Sequence, residues 1–81
     1  MITLLRYNNR KLYNKTSCQY STAIDIVAAL KDGENVKVLS YAGRQDITVK
    51  VLSSHGASLM NSGNIEGGSL LIRYAQAYRA L

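Results

Sequence analysis

Residues 3–7 form an apolar, β-compatible run, Asn8-Asn9 is a turn signal, and residues 11–13 alternate polar with apolar, so a short β-hairpin is expected to open the chain. A second polar turn at residues 14–17 leads to a third short strand over residues 18–21. The strongest local pattern follows. Thr22 can cap a helix, Asp25 occupies the third helical position of a capping box, and Ile24, Val27, Ala28 and Lys31 recur at helical spacing, which predicts a helix over residues 23–31. Asp32-Gly33 ends it, with Gly33 suited to a left-handed cap. Residues 36–40 are β-rich, residues 41–44 read as a turn, and Ile47, Val49 and Val51 alternate strictly, which predicts a half-buried strand over residues 46–52 with Asp46, Thr48 and Lys50 on its outer face. Residues 53–60 are weakly helical. Gly63, Gly67 and Gly68 mark a loop, after which Ser69 caps a last helix whose apolar face holds Leu71, Ile72, Ala75 and Tyr78. The expected class is α+β: small β-hairpins with two or three helices.

Eighty-one residues without repeats or a linker make one small domain, residues 1–81, that buries about 60 to 65% of its unfolded surface and gains from a partner subunit. The last helix is apolar over more than one face, through Leu70, Leu71, Ile72, Ala75, Ala77, Tyr78 and Leu81, which favours a homodimer. No apolar run approaches a membrane span and no secretory leader is evident, so a cytoplasmic location is expected. A single cysteine, Cys18, fits a reducing compartment.

Charge then changes the picture. Ten Lys and Arg against five Asp and Glu give a net charge of +5, and the first 16 residues hold four of those cations with no carboxylate. Arg6, Arg10, Lys11 and Lys15 share that segment with Tyr7, Tyr13 and three asparagines. Cations supply charge and donors to phosphate, asparagine can reach base edges, and tyrosine can stack or donate. A solvated basic face is the plainer alternative, and the tyrosines could simply complete a small core.

Enzyme chemistry finds little support. His55 stands alone between Ser54 and Gly56 and reads as a surface histidine, Cys18 reads as a half-buried strand thiol, and the five carboxylates are scattered. Gly63, Gly67 and Gly68 lack the lysine and hydroxyl of a nucleotide loop. No catalytic residue, cofactor, metal or small-molecule substrate is expected.

The order of residues is also informative. Arg6-Tyr7-Asn8-Asn9-Arg10-Lys11-Leu12-Tyr13-Asn14 resembles the hallmark of the DNA-binding N-terminal domain of polyhydroxyalkanoate synthesis regulators, a Tyr-Pro-Asn-Arg-Arg/Lys-Leu-Tyr-Asp pattern, with Asn8 where proline is usual. The similarity continues through Ser17, Tyr20, Thr22, Asp25, Gly33-Glu34 and Gly43-Arg44-Gln45-Asp46-Ile47-Thr48, and then fades. It implies a sequence-specific DNA-binding regulator. Separately, the alternating stretch 46–51 followed by two helices looks like a ribbon-helix-helix unit, in which the strand pairs with its copy from a second subunit and outward side chains enter the major groove. That likeness would make Thr48 and Lys50 base readers; an intramolecular hairpin with residues 36–40 is the alternative.

These lines lead to a bacterial-type transcriptional regulator that binds double-stranded DNA as a homodimer, with Arg6, Asn9, Arg10, Lys11, Lys15, Thr48 and Lys50 as candidate contacts. The competing function is an adaptor whose basic hairpin meets an acidic protein.

Overall fold

A computed structural model of the chain describes residues 1–8 and 11–78. They form two compact units, Met1–Ile47 and Thr48–Leu81. In the first, β1 (Ile2–Arg6), β2 (Leu12–Asn14), β3 (Gln19–Ser21) and β4 (Val36–Ser40) make one four-stranded sheet in the order β3-β2-β1-β4, with α1 (Ala23–Lys31) between β3 and β4 in sequence. The expected N-terminal hairpin and third strand are present as an antiparallel meander, Leu5 opposite Tyr13 and Tyr13 opposite Tyr20.

The alternative hairpin between residues 36–40 and 46–51 does not form. β4 instead runs parallel to β1, Ile2 opposite Val36 through Arg6 opposite Ser40. The chain returning from β4 contributes only a single bridge, Asp46 opposite Leu39, after a turn in which Gly43 (φ 90°) and Arg44 (φ 53°) are both left-handed.

Helix α1 begins and ends where local chemistry dictates. Thr22 N–H donates to Asp25 Oδ2 at 2.9 Å while the Thr22 hydroxyl accepts from Asp25 N–H at 3.3 Å, so two otherwise unpaired donors are satisfied reciprocally. At the other end Gly33 (φ 86°) lets its own N–H and that of Glu34 reach back to Leu30 and Ala29. The buried side chains are Ile26 and Val27, with Ala23 and Leu30 half-buried, whereas Ile24 is exposed. The apolar stripe, Ala23, Ile26, Val27 and Leu30, therefore lies one residue earlier than the expected Ile24, Val27, Ala28 and Lys31 face.

The second unit corrects the sequence-based expectation most. Residues 48–52 are helical, not extended: α2 spans Thr48–Asn61 and α3 spans Ile65–Tyr78. Thr48, Val51, Leu52 and Gly56 are buried at helical spacing, and that pattern over fourteen residues prevails over the alternation of three β-branched residues. A ribbon-helix-helix unit needs the strand that α2 replaces, so that likeness is overturned. Gly67 and Gly68 also lie inside a helix, not in a loop. Asn64, and not Ser69, starts α3: its Oδ1 accepts from Gly67 N–H at 2.9 Å.

The two helices touch through glycine. A Cβ placed on Gly56 would stand 2.9 Å from the Gly68 carbonyl oxygen, and one on Gly68 would stand 2.5 Å from the Gly56 carbonyl oxygen and 3.0 Å from Met60 N. Only a hydrogen atom fits at this crossing.

Candidate nucleic-acid interface

Strand alternation sorts the first unit's sheet into two faces. One carries Ile2, Leu4, Leu12, Val36 and Val38, with Arg6, Asn14 and Gln19 in the same rows. Helix α1 lies on this face, where Ile26 and Ala29 line a groove of about 210 Å³ together with Ile2, Leu4 and Val36. Leu4, Leu12, Val36 and Val38 are all buried.

The opposite face is different in kind. Its rows contain Thr3 with Lys37, Leu5 with Tyr13, Tyr20 and Leu39, and then Tyr7 beside Lys11, with Tyr41 following the end of β4. Leu5 is buried, but four tyrosine rings form a continuous row over this side. Tyr20 and Tyr13 meet edge to face at 5.5 Å between centroids, Tyr13 and Tyr7 at 6.0 Å, and Tyr7 and Tyr41 at 4.6 Å in a tilted pair. Tyr7 and Tyr13 are half-buried; Tyr20 and Tyr41 are 57% and 49% exposed. A cation covers each end of the row: Lys11 Nζ lies 5.3 Å from the Tyr20 ring centre and the Arg44 guanidinium 6.0 Å from that of Tyr41.

Cys18 lies in the β2–β3 turn, exposed and left-handed (φ 58°), not half-buried on a strand as expected, with its Sγ 3.6 Å from the Lys15 carbonyl oxygen. A hydrogen bond with this thiol, then burial, then neighbouring phenols and the thiol itself raise the Tyr13 pKa above its ordinary value. The hydroxyl thus stays a donor at neutral pH.

The candidate contacts do not share one surface. Lys11 lies on the tyrosine face, and Lys15 is exposed in the turn after β2. Arg6, half-buried, belongs by alternation to the face that carries α1. Lys50 is exposed on α2. Thr48 is fully buried in the first turn of α2, so its side chain is not the outward base reader that an extended strand would have made it. Asn9 and Arg10 lie outside the described residues. His55, expected at the surface, is half-buried in α2. Sequence reasoning missed Lys37, Arg44, Tyr20 and Tyr41 as members of the basic face, since residues far apart in the chain meet there only through the β1–β4 pairing and the turn after β4.

A small α+β unit with an acid-poor, cation-bearing sheet face has the chemistry that a nucleic-acid-binding domain requires. The chain belongs to the family of PHB/PHA accumulation regulator DNA-binding domains, whose family model matches residues 3–55. The match takes in β1 from Thr3 onward, the other three strands, α1 and the first half of α2, and with them both segments, 6–14 and 43–48, on which the resemblance rested. No curated protein and no solved structure matches the chain. The chain is thus a DNA-binding regulator domain by family. Among the described residues no helix is long and apolar enough to cross a membrane.

Proposed function

We propose that this chain is a sequence-specific transcriptional regulator of bacterial type, a cytoplasmic, non-enzymatic homodimer that binds double-stranded DNA without a cofactor. The observation that carries the proposal is the coincidence of the family match with the acid-free segment: residues 3–55 include Arg6, Arg10, Lys11 and Lys15, and no carboxylate precedes Asp25. Arg10, Lys11 and Lys15 neutralise phosphates, Arg6 adds positive charge from the other side of the sheet, Asn9 reaches a base edge, and Lys50 on α2 adds an exposed charge beyond the hairpin. The two compact units act as one domain, since the family match crosses from the first into the second. A homodimer doubles the positive surface, suits palindromic sites and gives α3 a partner for Ile65, which is 56% exposed.

The test is selection of bound sequences from a random duplex pool, followed by titration of the selected site against its scrambled version. A clear preference is expected. Equal binding of the two would reject sequence specificity, and no binding to either would favour an acidic protein as the partner. Replacing Arg10 and Lys11 with Ala should weaken binding and reduce the slope of log affinity against log salt by about 2 units at most. An unchanged slope in a folded variant removes these residues from the interface. Light scattering that shows a monomer at assay concentrations rejects the homodimer.

A further inference from the structure

The tyrosine face is not accounted for by the basic segment. Only Tyr7, Lys11 and Tyr13 of its members belong to the hallmark string; Tyr20, Tyr41 and Arg44 are added by the fold. Completing a core is an adequate role for Tyr7 and Tyr13, whose neighbour in register, Leu5, is buried. It is not adequate for Tyr20 and Tyr41, which leave about half of their surface in water.

We propose that the row Tyr20, Tyr13, Tyr7 and Tyr41, with Lys11 at one end and Arg44 at the other, is a docking surface for the phosphate backbone of duplex DNA. The inference rests on the duplex-DNA reading above and assigns it a surface. Charge selects an anionic occupant: Lys11, Lys37 and Arg44 stand on or beside this face. Among the described residues the acid in register with it is Asp46, opposite Leu39 at the outer edge of β4. Ring geometry selects phosphate over unstacked bases. Platforms that receive unpaired bases present open ring faces. Here the rings are engaged with one another, two of the pairs edge to face, and the outermost ring faces carry cations. The exposed Tyr20 and Tyr41 bring hydroxyls to this face and the flanking cations bring positive charge, the donor set that meets phosphate oxygens and fixes register without reading sequence.

The experiment measures binding of the full chain to a mixed-sequence duplex oligonucleotide at low salt. The variant Tyr20→Phe/Tyr41→Phe keeps the rings and removes two hydroxyls. It should bind roughly tenfold more weakly, since hydrogen bonds to a charged group are the stronger kind. Its salt slope should stay as in the wild type because no charge is lost. Arg44→Gln should instead flatten that slope by about one unit. Nitration of the unmodified chain gives a second readout that needs no variant: bound duplex should protect Tyr20 and Tyr41 while leaving Tyr74 on α3 as reactive as before. Wild-type affinity in the double Phe variant, or nitration of Tyr20 and Tyr41 undiminished by bound duplex, overturns the surface while leaving the DNA reading intact. Stronger binding of a single-stranded oligonucleotide that the double Phe variant retains and Tyr20→Ala/Tyr41→Ala abolishes also overturns it, in favour of base stacking. A wild-type chain that binds no duplex overturns both.

Discussion

Replacing Gly68 with Ala sets two opposing effects against each other at the α2–α3 crossing. Gly68 is helical, so an alanine there gains about 1 kcal/mol of helix propensity. The added methyl, however, would stand 2.5 Å from the Gly56 carbonyl oxygen and 3.0 Å from Met60 N, and would also collide with Met60 Cγ. The Met60 side chain can rotate away. Backbone atoms of the facing helix can yield only if the helices separate, which also loosens Leu52 and Leu71, both fully buried. Overpacking costs about 1 to 3 kcal/mol, and contact with backbone places this case at the upper end. The net expectation is a loss of about 2 kcal/mol, or a melting temperature lower by about 8 to 16 °C in a domain of this size. Gly67→Ala is the control. The three atoms nearest its methyl all belong to the Asn64 side chain, so the propensity gain and the weakened cap, each about 1 kcal/mol, nearly cancel. Thermal unfolding followed by circular dichroism compares the two variants. If Gly68→Ala melts at or above the wild type, the close crossing is not what holds α2 and α3 together.

Thr22→Ala removes one half of the capping box and should lower stability by about 1 kcal/mol; a urea midpoint equal to that of the wild type would show that Asp25 alone holds the helix start. Cys18→Ala removes the first cause of the raised Tyr13 pKa, so tyrosinate absorbance should appear at lower pH in the variant. Because the folded value lies above the unfolded one, this interaction supports the fold below about pH 10 and is lost as pH rises through the folded value. Superimposable titration curves would show that the thiol does not govern Tyr13.

What could be read from the sequence was what neighbours in the chain decide. The Thr22 and Asp25 pair and Gly33 set the limits of α1 as Ala23–Lys31, because a cap is a contact over three or four residues. The β1–β2–β3 meander was equally legible from its turns. The parallel partner of β1 was not, since nothing near Ile2 specifies Val36. Helix α2 was misread because Ile47, Val49 and Val51 alternate while the competing stripe, Thr48, Val51, Leu52 and Gly56, includes a hydroxyl and a glycine that do not look apolar. Gly67 and Gly68 resembled a loop for a related reason: glycine marks both a turn and a close helix crossing, and only the facing carbonyl tells them apart. Of the candidate interface, the density of cations was visible in the string, but their division between two sheet faces was not. Arg6 and Lys11 appear as one cluster in the sequence and lie on opposite sides of the sheet in the fold.

The place of β1 in the middle of the sheet imposes an order of assembly. Its pairing with β2 closes a short loop and can form as soon as residues 2–14 are available, whereas its pairing with β4 must wait for residues 36–40 and must close a loop that already contains two strands and a helix. Loop entropy makes the second event the slower one, and it comes later in synthesis as well. Until it happens, one edge of β1 is an open row of amide and carbonyl groups beside the apolar Leu4 and Leu5. A nascent chain arrested before β4 therefore exposes the segment most apt to pair with another molecule, and formation of α1, which draws the chain back toward β1, shortens that exposure.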